Sequence, residues 1–147
     1  MNWFENHEVP LRGHAVFWSV DKHVQDWVKG LSKVKKINLS FALNFFFIKD
    51  ELRNEVFQRT DAAVGRYKKR IPNWDVFNEV MHGDFYKRKL GDQIWDDVID
   101  RVKFIDPSVK IFFNDYQLLT SDYGQENLKI CSVSQKTAHV RIRTSDV

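Results

Sequence analysis

The chain has 147 residues, 43% hydrophobic and 29% charged, with six Gly, three Pro and a formal net charge of +3. Such a composition belongs to one ordinary globular domain and excludes fibrous, collagen-like and low-complexity chains. The positive excess sits in two clusters, Lys29, Lys33, Lys35 and Lys36, and Lys136, His139, Arg141 and Arg143; neither is interleaved with base-stacking aromatics, so no nucleic-acid partner is expected.

Residues 2–8 read as the end of a helix running into Val9-Pro10, which opens the first strand. Leu11-Arg12-Gly13-His14-Ala15-Val16-Phe17-Trp18 is strand-like. Period-two alternation sets Arg12, His14, Val16 and Trp18 on one face. Asp21 to Leu31 reads as a short helix, with Asp21 as N-cap and Val24, Trp27, Val28 and Leu31 as its apolar stripe. Lys33 to Lys49 differs from both flanks, first rich in lysine and then in phenylalanine. A surface insertion and a translated non-coding segment are the two readings; an exposed Phe45-Phe46-Phe47 run would invite aggregation, which favours the second.

A longer helix is expected from Asp50 to Lys69, with Leu52, Val56, Ala63, Val64 and Tyr67 at helical spacing and an acidic start and basic end suited to the helix dipole. The strand after it, Ile71 to Glu79, contains Trp74-Asp75-Val76-Phe77-Asn78-Glu79-Val80, a buried run of aromatic and β-branched residues. It ends in an amide and a carboxylate before a loop, Met81 to Phe85. A glutamate there, walled by Trp74 and Phe77, is placed to keep its proton and act as a general acid. A capping or loop carboxylate without chemistry is the alternative. Asp92 to Ile105 reads as a helix turning Ile94, Trp95, Val98, Val102 and Ile105 inward, and Pro107 stops it. The third strand, Val109 to Phe113, begins next. Its end, Ile111-Phe112-Phe113-Asn114-Asp115-Tyr116, passes abruptly from apolar to polar. Alternating strands and helices imply βαβ crossovers and a parallel sheet. From about Tyr123 the chain is polar and poor in periodicity, an atypical tail for which disorder is one reading and a frame change or alternative end another.

The single cysteine, Cys131, excludes an internal disulfide and a cysteine-based metal cluster. Histidines 7, 14, 23, 82 and 139 show no HExxH-like spacing, so no metal and no cofactor are expected. Met1 is followed by Asn, Trp, Phe and Glu, which is no signal pattern. Phe41 to Ile48 falls short of the roughly 18–20 apolar residues that span a bilayer, so no membrane partner is expected. Localisation and oligomeric state stay open.

Each strand-like run ends in side chains suited to holding a sugar. The motifs Arg12-Gly13-His14-Ala15-Val16-Phe17-Trp18, Trp74-Asp75-Val76-Phe77-Asn78-Glu79 and Asn114-Asp115-Tyr116 together resemble glycoside hydrolase family 10, the endo-β-1,4-xylanases and their relatives. There the counterparts read approximately RGHxLVW, WDVVNE and NDYN. His82-Gly83-Asp84-Phe85-Tyr86 and Arg88-Lys89-Leu90-Gly91 also resemble the family's loop after the acid/base strand. The likeness covers about residues 2–32 and 50–119. It implies a partial (β/α)8 TIM barrel, about three parallel strands with their helices, matching the family's third, fourth and fifth; a whole barrel takes about 250 residues. On this reading residues 1–122 are a partial catalytic domain, 33–49 an anomalous insertion within it, and 123–147 the tail.

The resemblance further implies a β-1,4-linked polysaccharide or oligosaccharide substrate and a retaining mechanism, with two carboxyl groups about 5 Å apart. Glu79 matches the acid/base, and Asn78 the amide that hydrogen-bonds the sugar 2-hydroxyl. His14 and Trp18 match the floor of the subsite where the bond breaks; Asn114 and Tyr116 match the region receiving the departing sugar. Each has a plainer reading: His14 or Trp18 as ordinary core, Asn114-Asp115 as the start of a turn, Asp75 as structural. Ser19 stands where the family often has a second histidine. After Glu79 the only glutamate is Glu126, in Gly124-Gln125-Glu126-Asn127, without strand character. The nucleophile is thus missing, and negligible hydrolysis by this chain alone is expected. A non-catalytic carbohydrate-binding remnant and an unstable fragment are the competing readings. Secretion is expected of the intact family.

Overall fold

Three strands pair side by side in chain order, all parallel: β1 (Arg12–Trp18), β2 (Asn73–Asn78) and β3 (Lys110–Asn114). The computed structural model describes residues 2–31, 41–116 and 139–140. A two-residue strand from the tail, β4 (His139–Val140), extends the sheet parallel to β3. Among the described residues five α-helices lie between and around the strands: α1 (Asn2–Asn6), α2 (Asp26–Leu31), α3 (Phe41–Thr60), α4 (Phe85–Leu90) and α5 (Ile94–Ile105).

One face of the sheet is apolar and carries helices. Phe17, Phe77 and Phe113 are register partners across β1, β2 and β3. Their rings stack at 6.0 and 5.4 Å between centroids. Trp95 of α5 meets Phe77 edge-on at 4.3 Å, and Tyr86 of α4 meets Phe17 at 5.2 Å. Ile94, Val98, Ile99 and Val102 of α5 are buried against this layer, as expected of an amphipathic helix. Gly13 is required by close approach: a Cβ there would lie 2.2 Å from Cε3 of Trp74, its register partner. Trp74, against Tyr67, and Phe77, against Trp95, are committed to the helix-side core rather than walling Glu79; three residues apart, they share that face because the pairing shifts between Asp75 and Phe77.

Outside the sheet, ion pairs join the helical layer. Arg53 of α3 pairs with Asp97 of α5. Arg101 binds Asp61 through two bonds of 2.7 and 2.6 Å, which hold the Asp61 carboxyl below its ordinary range. Asp106 closes α5 and ties it to the approach of β2, accepting from the Lys69 amide at 2.8 Å, the Ser108 amide at 3.1 Å and the Ser108 hydroxyl at 2.6 Å. Burial pushes this carboxyl up, but those hydrogen bonds outweigh it and the net shift is downward.

Several elements differ from expectation. The helix expected over Asp21–Leu31 is broken into a 3-10 turn, Asp21–His23, and α2. Val24 between them is extended (φ −79°, ψ 132°), which breaks the helical phase. Val24 and Val28 are buried, but Trp27 is turned out and 60% exposed. Asp21 caps nothing and instead accepts from Arg88 at 2.8 Å. The next helix begins at Phe41, not Asp50, because no Gly or Pro stands between Phe41 and Thr60 to stop it. Residues 41–49 of the anomalous stretch are thus helical, while 32–40 lie outside the described residues. That helix ends in a π-helical turn, Asp61–Gly65, instead of running on to Lys69. Helix α4 stands where the sequence suggested loop, burying Phe85, Tyr86 and Leu90.

Candidate active site

The other face of the sheet is polar at its heart. His14, Asp75 and Phe112 form one register row, and Trp18, Asn78 and Asn114 the next. Between those rows β1 spends four residues (14 to 18), β2 three (75 to 78) and β3 two (112 to 114), so the pairing shifts between His14 and Phe17 and between Asp75 and Phe77. Such irregularities re-aim side chains near strand ends. They also break the alternation expected of β1: Val16 and Phe17 are both buried, so Val16 does not continue the half-exposed row of Arg12 and His14.

Asp75 anchors the first row. It is nearly inaccessible, and accepts from Arg12 Nε at 2.9 Å, from a second guanidinium nitrogen of Arg12, and from His14 Nδ1 at 3.0 Å. Arg12 lies over the Phe112 ring, 4.4 Å from its centroid. With Nδ1 engaged, His14 keeps Nε2 for a ligand. Asp75, read from sequence as structural, is the group that orients His14.

In the second row Asn114 Nδ2 donates to Asn78 Oδ1 at 2.6 Å. Trp18 stacks on His23 at 3.9 Å and stands 6.2 Å from the His14 ring. These rings, with Gln25, Arg59 and Tyr86, line a cavity of about 170 Å³. Burial pushes the Tyr86 phenol up to about 12, against the opposing Arg59 charge. Ser19 is fully buried; its amide donates to the Asn78 carbonyl at 3.0 Å, and its carbonyl accepts from the Phe85 amide at 3.1 Å. It joins β1 to β2 and α4.

Glu79 follows directly on β2 and is half-buried. Its φ is +55°, the left-handed region that residues other than glycine rarely occupy. Two bonds hold it there: its amide donates to the Asn114 carbonyl at 2.7 Å, and its carbonyl accepts from the His82 amide at 3.2 Å. The turn is further fastened by Asp115, whose buried carboxylate accepts from the Met81 amide at 2.7 Å and faces His82 Nδ1 at 2.6 Å. His82 in turn stacks on Tyr116 at 3.8 Å and 12°.

The structure thus brings Asn78, Glu79 and Asn114 together at adjoining strand ends, and His14 with Trp18 on β1. Among the described residues no hydrogen bond links the Glu79 carboxylate to His14 or Trp18, and Tyr116 lies beyond Asn114 against His82. Asp115 and His82 were missed. Their signal was present in the same motifs, an acid between Asn114 and Tyr116 and an imidazole three residues after Glu79. Among the described residues no cluster of His, Cys, Asp or Glu is arranged to hold a metal, and no helix is long and apolar enough to cross a membrane.

The family model for Glycosyl hydrolase family 10 matches residues 1–139. The chain belongs to glycosyl hydrolase family 10. Among curated proteins it is similar to anti-sigma-I factor RsgI6 of Acetivibrio thermocellus, 35% identical over 73% of this chain and 12% of that protein. It is also similar to endo-1,4-beta-xylanase 1 of Arabidopsis thaliana, 30% identical over 80% of this chain and 11% of that protein. Two solved structures share the fold: a GH10 endoxylanase retrieved from sugarcane soil metagenome (TM-score 0.72, 21% identity, 96% of this chain, 40% of that one) and xylanase 10B from Thermotoga maritima (TM-score 0.70, 17% identity, 96% of this chain, 42% of that one). The chain therefore spans about two fifths of these solved family 10 chains. Its parallel strands with their helices are part of a (β/α)8 barrel.

Proposed function

We propose that this chain is the acid/base-bearing portion of a barrel that hydrolyses β-1,4-linked xylan with retention of configuration. The observation that carries this reading is the placement of Glu79: a carboxylate at the C-terminal end of the middle strand, where barrel enzymes gather their chemistry, held at positive φ beside the paired amides Asn78 and Asn114. In this reading Glu79 first donates a proton to the leaving glycosidic oxygen and then activates water. Asn78, its Oδ1 committed to Asn114, offers Nδ2 to the sugar 2-hydroxyl. His14 and Trp18 floor the subsite, and Asn114 and Tyr116 receive the departing sugar.

Retention needs a second carboxylate on the opposite side of the sugar. Glu126, the only later glutamate, stands in a polar stretch of sequence outside the described residues. The chain alone therefore binds xylo-oligosaccharide without appreciable turnover. Residues 1–122 are the partial catalytic domain, 33–49 an insertion and 123–147 a tail; secretion is proposed for intact members of the family alone. Reducing-sugar release from xylan by residues 1–147 tests the reading. Robust turnover abolished by Glu79→Gln would sink the missing-nucleophile claim, and absence of saturable xylotriose binding would sink the sugar site itself.

A further inference from the structure

We propose that Asp115 is a positioning residue that locks His82 against Tyr116, making the two rings one composite platform for a pyranose ring next to Glu79. This rests on the sugar-site reading above and extends it to two residues that reading does not use.

The physical chain begins with a buried carboxylate. Asp115 is 3% exposed and lies just past the end of β3. Its Oδ2 accepts the Met81 amide at 2.7 Å; its Oδ1 accepts the Tyr116 amide at 2.9 Å and faces His82 Nδ1 at 2.6 Å. A carboxylate is an acceptor only, so Nδ1 carries the hydrogen in this contact and the imidazole plane is set by it. That plane lies 12° from the Tyr116 ring at a centroid separation of 3.8 Å. One face of Tyr116 is thereby covered by His82, and the residue is 37% exposed; in this proposal the sugar takes the face opposite His82. The same carboxylate holds the backbone two residues beyond Glu79. One side chain fixes both the acid/base turn and the aromatic ring beside it.

A sugar stacks on a flat ring through its axial C–H face, and an aromatic ring held in place before binding loses less freedom on contact than a free one. His82 is thus the part that makes Tyr116 rigid, and Asp115 the part that makes His82 rigid. Support from such neighbours is what keeps a site within its working geometry.

The experiment uses the full 147-residue chain, xylotriose as probe, and NMR of the aromatic resonances. In the free protein, Asp115→Asn and His82→Ala are expected to move the Tyr116 ring resonances, since the first weakens the bond that holds the imidazole in place and the second removes the imidazole itself. On titration, His82→Ala is expected to weaken xylotriose about ten-fold, and His82→Phe, which keeps a ring without the Asp115 bond, to recover only a small part of that loss. Asp115→Asn is expected to cost less binding in the His82→Ala background than in the parent chain, because there only its hold on the backbone amides of Met81 and Tyr116 is left to lose. Unmoved Tyr116 resonances in Asp115→Asn, or an Asp115→Asn loss as large in His82→Ala as in the parent chain, overturn the lock. His82 lies near the surface, so its variants report even if Asp115→Asn fails to fold. Wild-type chain that binds xylotriose while the His82 variants bind equally well overturns this inference alone. Wild-type chain that does not bind overturns the sugar-site reading, and the platform with it.

Discussion

The Asn114 side-chain amide donates to Asn78 Oδ1 at 2.6 Å, while the Asn114 carbonyl accepts the Glu79 amide at 2.7 Å. One residue at the end of β3 therefore holds both members of the Asn78-Glu79 pair, one through its side chain and one through its backbone. Asn114→Ala breaks only the first of these. It leaves the oxygen of the buried Asn78 without its donor, at a cost of about 1–3 kcal/mol. Urea unfolding should show this as a lower midpoint with unchanged slope. The backbone bond to Glu79 survives, so stability is expected to fall more than the geometry of the acid/base turn.

Two glycines should respond oppositely to the same substitution. Gly13→Ala drives a methyl group to 2.2 Å from the Trp74 ring, forcing the indole or the strand to shift. Overpacking of this kind costs about 1–3 kcal/mol. Gly30→Ala, in α2 with nothing within 4 Å of the added methyl, is expected to gain about 0.5–1 kcal/mol from helix propensity. Paired urea curves separate the two, and a destabilised Gly30→Ala would contradict the described packing of α2.

At high pH, Tyr86 should govern a loss of stability. Its folded pKa of about 12 stands above the ordinary value of 10.0 because the phenol is buried. The unfolded chain then releases the proton first. The contribution is whole below pH 10 and disappears as pH rises through 12, amounting to about 2–3 kcal/mol. Unfolding free energy measured from pH 8 upward should fall across that window, and Tyr86→Phe should flatten the fall.

Acid acts with the opposite sign at Asp106. Its carboxyl is held below the ordinary 3.8 by the Ser108 and Lys69 donors, despite burial. The contribution is complete above 3.8 and is lost as pH drops through the lower folded value. At neutral pH, Asp106→Ala strips two hydrogen bonds from the turn joining α5 to β3 and one from the approach to β2, and about 1–3 kcal/mol is expected to go with them. A urea series from pH 6 to pH 2 should show the acid slope in the parent and a shallower one in the variant.

Much of the architecture was legible before any coordinates. The strand runs were placed within two residues at each end, because each is a short apolar stretch bounded by turns or polar residues. Helix α5 was legible for the same reason that it packs: its apolar residues recur at helical spacing along twelve residues. Helix α4 was not, since six residues make too little periodicity to distinguish from loop. The break at Val24 was also hidden, because its apolar side chain fits a helical stripe and its extended backbone leaves no mark in the composition.

The order of strands and helices, the family motifs and the place of Glu79 at the end of the middle strand run, directly after Asn78, all follow from amino-acid type and spacing along the chain. They are local properties, carried by turn chemistry and hydrophobic period. Which groups face one another is a different matter. Asp75 meets His14 across 61 positions and Asp115 meets His82 across 33, and both contacts exist because parallel strands bring distant residues into register. The unequal advance of β1, β2 and β3 between their polar rows then aligns Asn78 with Trp18 and Asn114. No pattern within one strand encodes that alignment, since register is a property of the paired backbones and of the core they enclose.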